Sequence, residues 1–389
     1  MDFSFSDSAE AFRAEVKEFI AEHLTSDVLL GTRDGTLHND EFHRKMADRG
    51  WLDGAVPAEL GGAGRDPLEM LVLIEELQLA GAPVDGMGVA VIVAAIILEL
   101  GNDHLKETVV PRIISGESLC SFGYTEPDCG SDVAAATTSA VRDGEQWLIN
   151  GQKMWTTMAH IADYVLLLTR TNTEVAKHKG LTFFVVPLDT PGIEIQPVQT
   201  MGTERSNATF YDDVRLGDEW RIGAVDGGWA VMKAALKFER GIAGGQFPSA
   251  TLIDAALNSA RTIARPDGSL AIDDPVIRER LMRASIDVEV ARCFAYKTAF
   301  LASEGVMFGV EGSMTKLFVS EAYKRHSHWF IDMLGAEGLL NHDGANAPED
   351  GLIEEHFRHA PVTTIYGGTS EINRNLVAEA HLGLPRTRN

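Results

Sequence analysis

Cysteine is scarce in this sequence. There are three, Cys120, Cys129 and Cys293, and none forms a Cys-x-x-Cys pair. That argues against a disulfide scaffold or a thiolate zinc site and fits a reducing, cytoplasmic setting. Positive charge is short as well: 34 Lys and Arg stand against 57 Asp and Glu, for a formal charge of -23. So acidic a chain repels nucleic acid and anionic membrane, and neither is expected as a partner. A phosphate-bearing ligand would need local cations or backbone N–H groups to offset that field. No apolar run reaches membrane length; the longest, about Met87 to Leu98, suits a buried helix. The first residues, MDFSFSDSAEAFRAEV, lack a basic start and an apolar stretch, so no signal or transit peptide is expected. Several nucleotide and hydrolase motifs are missing too: G-x-G-x-x-G after a strand, a P-loop, H-E-x-x-H and G-x-S-x-G. A Rossmann nicotinamide site is therefore unsupported. His326/His328 and His356/His359 are short-spaced pairs, but no acid or thiol cluster adjoins them in sequence, so ordinary surface or core roles are expected over metal binding.

What is present points to helix, then sheet, then helix. The 389 residues, 45% hydrophobic, suffice for two or three domains with a large core. Asp66-Pro67-Leu68-Glu69 reads as a helix start, with an N-cap, proline in the first turn and an acid to close the box. Met70 to Leu79 continue it, Gly81 can end it, and helical patterns run to about Ser115. Residues 1–117 are read as an N-terminal helical domain. From 118 to 226 the pattern is β. Asp143-Gly144 and Asn150-Gly151, each between short apolar runs, are expected as hairpin turns. Tyr164 to Thr169 and Leu181 to Val186 are expected strands. From 227 to 389 helix returns: a long pattern from Trp229, then 274–306 and 312–333, then Ser370 to Ala380, with Arg265-Pro266-Asp267-Gly268 as a polar turn. No fixed-period repeat and no low-complexity tract is found.

Four segments carry candidate chemistry. Cys120 to Asp132 (CSFGYTEPDCGSD) places short polar residues and two glycines after a strand. It can offer hydroxyls and backbone N–H groups to a heterocycle or phosphate, or be a plain turn. Asn150 to Thr157 (NGQKMWTT) sets Trp155 beside Thr156 and Thr157. Indole can cover a flat ring while hydroxyls take its edge, or Trp155 can be core. On a helix, Lys233, Lys237 and Arg240 share a face. Glu239 points nearly opposite, among Met232, Ala235, Leu236 and Ala243. Such an acid either pairs with a buried cation or has a raised pKa suited to a general base. In Ile365 to Ile372 (IYGGTSEI), two glycines allow close backbone approach, and Thr369 or Ser370 can cap a helix whose N-terminus favours an anion.

Taken together, these segments resemble the acyl-CoA dehydrogenase family. Tyr124-Thr-Glu-Pro-Asp-Cys-Gly-Ser131 is similar to its first flavin motif and Gly151-Gln-Lys-Met-Trp-Thr-Thr157 to its second. Met201-Gly-Thr-Glu-Arg205 and Val225-Asp-Gly-Gly-Trp229 fall where the family has similar segments. Ile365-Tyr-Gly-Gly-Thr-Ser-Glu-Ile-Asn-Arg374 is similar to its C-terminal motif. The order and spacing hold along nearly the whole chain. The resemblance implies an α+β multidomain fold: a helical N-terminal domain, a central β-barrel or sandwich, and a C-terminal four-helix bundle. It implies FAD as cofactor, an acyl-CoA substrate, an electron-transfer flavoprotein as acceptor, and a dimer or tetramer of like or unlike chains. Cofactor contacts are expected from Tyr124, Thr125, Gly130, Ser131, Trp155, Thr156, Thr157, Thr369 and Glu371. Substrate contacts are expected from Ser131, Arg240, Tyr366 and Gly367. The implied reaction is α,β-desaturation: a carboxylate takes the α-proton while the β-hydride goes to flavin N5. The enolate is held by the Gly367 N–H and a ribityl hydroxyl.

Two departures from the family pattern matter. Most members carry the catalytic Glu directly after the Tyr of the C-terminal motif, where this chain has Gly367. Isovaleryl- and long-chain-type relatives place it on the helix, within Glu-Arg, and Glu239-Arg240 matches them; Glu239 is the expected base. The regions that bind flavin across subunits are also altered, at Ala260 to Gly268 and Asp332 to Gly338, as in some actinobacterial steroid-degrading relatives built from two different chains. Two rival readings follow: a non-catalytic or half-competent subunit of a hetero-oligomer, and a flavin monooxygenase or oxidase on the same scaffold.

Overall fold

A computed structural model describes residues 5–31, 35–36, 38–56, 58–202, 204–243, 248–306 and 309–386. Among the described residues seven α-helices come first: α1 (Asp7–His23), α2 (Ser26–Gly31), α3 (Asp40–Asp48), α4 (Pro67–Leu79), α5 (Asp85–Leu100), α6 (Asp103–Thr108) and α7 (Val110–Ile114). α4 begins as its sequence dictates, with the Asp66 carboxylate accepting from the Leu68 N–H and proline in the first turn. Glu69 takes the Ser8 hydroxyl and pairs with Arg65. Gly81, at φ 70°, follows the last turn. Phe12, Val16 and Phe19 recur at helical spacing on α1 and meet Phe42, Met46, Trp51, Val72, Leu73 and Leu77 in one apolar cluster. α5 is the expected buried apolar helix, with Ile92 to Ile97 all inaccessible or nearly so.

The middle of the chain forms one mixed sheet. Its strands are β1 (Cys120–Gly123), β2 (Ser139–Asp143), β3 (Gln146–Lys153), β4 (Tyr164–Arg170), β5 (Leu181–Pro187), β6 (Ile193–Gln199), β7 (Arg205–Gly217) and β8 (Arg221–Ile222). The order is β6-β7-β3-β2-β4-β5-β8, with β1 also paired to β4. β2 meets β4 through one bridge, Ser139 to Arg170, which joins the two halves. The inner faces of both halves, including Trp147, Ile149, Val214, Val165, Leu167 and Phe184, close on one core. The opposite face of β4 and β5, Leu166, Leu168, Phe183 and Val185, packs with α5 and α7. Covered on both faces, β4 and β5 read as continuous apolar runs and not as alternation.

Asp143-Gly144 does turn the β2–β3 hairpin, with Gly144 at φ 64°. The expected second hairpin at Asn150-Gly151 is not a turn. These residues lie inside β3, opposite a bulge in β7 where the register shifts. Asn150 Oδ1 accepts the Asp213 N–H at 2.8 Å and its amide reaches the Asp213 carboxylate at 3.0 Å, fixing Asp213 at φ 51°. A bulge and a turn both favour Asn-Gly, and only pairing with a distant strand distinguishes them.

The C-terminal helices are α8 (Gly228–Ala243), α9 (Pro248–Thr262), α10 (Pro275–Ser303), α11 (Glu311–Leu334), α12 (Leu352–Thr363) and α13 (Ser370–Ala380). The long pattern from Trp229 is divided: α8 ends at Ala243 and α9 opens on Pro248. α9 to α12 form the bundle, around Leu252, Ala256, Leu281, Ala284, Tyr323, Phe330, Ile353 and Ala360. Glu75 of α4 ties the ends of the chain together, pairing with Arg13 of α1 and Arg292 of α10. Among the described residues no helix is long and apolar enough to cross a membrane.

Candidate active site

The two segments expected to bind flavin are held side by side. β1 ends at Gly123 and β3 at Lys153, and the Met154 N–H donates to the Thr125 carbonyl at 2.8 Å. Beneath that bond lies a buried ion pair, Lys153 Nζ to Glu126 Oε1 at 2.7 Å, with Lys153 1% and Glu126 6% exposed. Glu126 also accepts from the Thr138 N–H at 2.8 Å and from the Thr137 N–H and hydroxyl, each at 2.7 Å. Lys153 donates to the Tyr124 carbonyl at 3.3 Å. Burial alone would raise the Glu126 pKa. The Lys153 charge and the bonds from Thr138 and Thr137 outweigh burial and hold it at about 2. Strand alternation puts Lys153 on the inward side of β3, with Trp147 and Ile149. With Asn150-Gly151 expected as a turn, neither its burial nor its partner was legible in the sequence.

Above this clamp the chain is strained and exposed. Trp155 sits at φ 61° and is 54% exposed. Its neighbour is pinned: the Thr156 N–H donates to the Asn207 carbonyl at 2.9 Å, and the Asn207 amide donates to the Thr156 carbonyl at 3.0 Å. A bulky residue in the left-handed region persists only where its surroundings over-determine it, and such positions gather at ligand sites. Thr157, two positions on, is exposed; so are Gly130 and Ser131 of the other loop, and Thr125 is half-buried. An indole held open beside the exposed Thr157 fits a flat, heteroatom-edged ring system such as the isoalloxazine of FAD. Tyr124 and Thr156, named above as cofactor contacts, turn inward. The Tyr124 ring stacks on Phe122 at 4.9 Å and meets Phe183 edge-on. Thr156 is wholly buried with its hydroxyl 3.4 Å from that of Thr209.

The C-terminal motif forms the turn between α12 and α13. Gly367 and Gly368 have φ of 62° and 83°, open to glycine without strain. Thr369 caps α13, its hydroxyl accepting the Ile372 N–H at 3.2 Å. Lys316 and Asn373 both donate to the Gly368 carbonyl, at 2.6 and 2.8 Å. Glu371 is exposed and pairs with Arg374 at 3.6 Å. Tyr366, 41% exposed, has its phenol pKa raised by burial first and then by the charges of Glu204 and Asp85. Glu204 precedes β7, whose Asn207 holds Thr156, so the start of β7 links this turn to the Trp155 loop. Glu239 and Arg240 lie on α8, but their side chains fall outside the described part of the structure.

Two acids near Tyr366 were not foreseen. Glu204 Oε1 lies 3.1 Å from His359 Nδ1, and burial pushes Glu204 up to about 7. Asp85, in the first turn of α5, is pushed up to about 6 by burial and by Glu204, against the pull of His359. The sequence held no signal for this group, because its members come from three distant segments. His356 and His326, from the two short-spaced pairs, have partners as well. His356 Nδ1 lies 2.5 Å from the Tyr323 hydroxyl, and His326 bridges Ser249 at 3.1 Å and Asp287 at 2.9 Å.

With that geometry in place, likeness to known proteins assigns the family. Three family models match in order: acyl-CoA dehydrogenase, N-terminal domain, over residues 6–117; middle domain over 121–214; and C-terminal domain over 226–382. The chain is 34% identical to the acyl-CoA dehydrogenase IpdE1 of Mycobacterium tuberculosis, across 97% of this chain and 98% of that one. It superposes on a chain of the ChsE4–ChsE5 complex of the same organism with a TM-score of 0.89, at 30% identity over the full length of both. A chain of the steroid acyl-CoA dehydrogenase Tcur3481–Tcur3483 gives the same score, identity and coverage. The chain belongs to the acyl-CoA dehydrogenase family, FAD-dependent oxidoreductases that act on CH–CH bonds.

Proposed function

We propose that the chain desaturates a CoA thioester between its α and β carbons with Glu239 as the base. The observation that best supports this reading is the clamped pair of flavin-motif loops, which holds Trp155 open beside Thr157. Bound FAD would supply the acceptor for the β-hydride. The chain's own residues do the rest. Trp155 covers the ring, and Thr125 and Thr157 take its polar edge. Ser131 and Gly130 lie at the approach to the thioester. Thr369 and the first turn of α13 take part of the cofactor, with Glu371 beside them. Tyr124 and Thr156 hold the loops. The thioester α-proton is weakly acidic and leaves only if the developing enolate oxygen is stabilised in a dry site; the Gly367 N–H is assigned to that oxygen. Gly367 stands where most of the family has its acid, so the base comes from α8. Arg240 is assigned to the substrate end of the pocket, and an electron-transfer flavoprotein is the expected acceptor of the electrons.

The test is a panel of acyl-CoAs with an artificial electron acceptor, run on wild type and Glu239→Gln. The variant should keep its flavin and lose roughly two or more orders of magnitude in turnover. Unchanged turnover removes Glu239 as base. Peroxide or a hydroxylated product in place of enoyl-CoA would instead mark an oxidase or monooxygenase.

A second reading has its own support. The solved neighbours named above are two-chain assemblies by their names, and the segments at 260–268 and 332–338 depart from the family pattern. A hetero-oligomer in which a second chain completes the flavin site predicts substoichiometric FAD when this chain is purified alone. A yellow, dye-reducing homo-oligomer excludes it.

A further inference from the structure

Met201-Gly-Thr-Glu-Arg205 falls where the family has a similar segment, yet none of its side chains is assigned to cofactor or substrate above. It is the run-in to β7, and it is anchored on two other parts of the fold. The Arg358 guanidinium of α12 donates to the Met201 carbonyl at 2.9 Å, and His359 of the same helix meets Glu204 at 3.1 Å. The Arg205 N–H donates to the Gly35 carbonyl at 2.9 Å. Two positions on stands Asn207, wholly buried, which carries that anchorage to the Trp155 loop.

The Asn207 amide is oriented by partners that have no choice of role. The Thr156 carbonyl can only accept, so Nδ2 faces it, at 3.0 Å. The Arg205 Nε–H can only donate, so Oδ1 faces it, at 3.2 Å. The second Nδ2 proton is left for His160 Nδ1 at 3.2 Å, which must therefore accept. The Asn207 main-chain carbonyl adds the Thr156 N–H at 2.9 Å. One residue thus holds both backbone groups of Thr156. On the other side of Trp155, the Met154 N–H is tied to the Thr125 carbonyl. Trp155, at φ 61°, is caught between two fixed peptides. Left-handed backbone is unfavourable for a residue with a bulky side chain. Released from either pin, it relaxes to negative φ and swings the indole away. Of these pins only the Asn207 amide is a side chain, so it alone depends on residue type. We propose that Asn207, steadied by Arg205, is a positioning residue that keeps the Trp155 indole over the flavin. The proposal rests on the reading of Trp155 as the cover of the flavin ring and adds the side chain that sets it there.

The test is the fluorescence of bound flavin in the flavin-loaded enzyme as purified, compared between variants at equal flavin absorbance. An indole in contact with an excited isoalloxazine quenches it by electron transfer; a phenyl ring does not. Trp155→Phe keeps an aromatic cover and should raise the emission severalfold. Asn207→Leu branches as the amide does but cannot donate, and it should raise the emission comparably. Arg205→Met, which frees Oδ1 and leaves Nδ2 in place, should raise it less. Added to Trp155→Phe, Asn207→Leu should raise it no further, because both act on one contact. Emission that rises in Trp155→Phe but stays at the wild-type level in Asn207→Leu and Arg205→Met overturns the positioning role alone, and a lowered thermal midpoint by itself would then make Asn207 a structural amide. Full additivity of Asn207→Leu with Trp155→Phe overturns it as well. If Asn207→Leu does not fold, Arg205→Met decides by the same reading. Emission that Trp155→Phe leaves unchanged brings down the flavin-cover reading and the proposal with it.

Discussion

At the scale of single residues, the Lys153–Glu126 pair and Trp155 divide the work of holding the site and presenting it. The ion pair is buried and bonded on nearly every lone pair of the carboxylate. Removing one partner leaves an uncompensated charge in the core, whereas removing both need not. Glu126→Ala should therefore lower unfolding free energy by about 3–5 kcal/mol in urea titrations, and adding Lys153→Met should recover most of the loss. The pH dependence has a definite sign. The carboxyl's folded pKa, about 2, lies below its ordinary 4.5. Its stabilisation is thus complete above the ordinary value and is lost as pH falls from about 4.5 toward 2. Wild type should lose stability in that window more steeply than the double variant. Trp155 is the opposite case. With 54% of its surface open, truncation removes little core packing. Trp155→Ala should leave chemical stability within about 0.5 kcal/mol while weakening flavin binding at least about tenfold, read from the absorbance of retained cofactor.

At the scale of elements, the placing of α8 decides where Glu239 is carried. The helix starts against β5: Gly227 bridges to Leu181, and a Cβ on Gly228 would lie 2.7 Å from the Leu181 carbonyl oxygen and 3.0 Å from the Thr182 nitrogen. Both are backbone atoms, so the helix itself must move to admit one. Gly228→Ala should cost about 1–3 kcal/mol of stability, seen as a lowered thermal midpoint, and should lower turnover more than flavin content. In the bundle, Ser249, His326 and Asp287 form a chain of hydrogen bonds between α9, α11 and α10. The cavity beside it is about 10 Å³, no larger than a single water requires. It admits no substrate, and the chain of bonds serves to pin three helices together.

At the scale of the whole molecule, α10 carries an unexpected outer face. Its inner side buries Leu281, Ala284, Val288, Ala291 and Ala295. Met282, Ile286 and Phe300 recur on the opposite side and are 61%, 56% and 54% exposed. Apolar stripes of this kind on an acidic surface mark association between chains. Sedimentation should give a mass that is a multiple of the single chain, alone or with a related second subunit, and Ile286→Lys should shift it toward the monomer. The isolated chain remaining monomeric at micromolar concentration, with no change on substitution, would count against this face.

Local order was readable from the residues. Capped helix starts at Asp66 and Thr369, the apolar runs of β4 and β5, the Asp143-Gly144 hairpin and the flavin motifs all depend on neighbours a few positions apart, and the order helix, sheet, helix follows from them. Family membership rests on motifs of the same short range. Contacts across the fold were not readable. Asn150-Gly151 is compatible with a turn and a bulge alike until β7 pairs beside it. Glu126 found Lys153, and Asp85, Glu204 and His359 were drawn toward Tyr366, only when helices and strands far apart in the chain closed on one another. Burial and Coulomb interactions depend on distance in space, and those distances exist only in the folded chain.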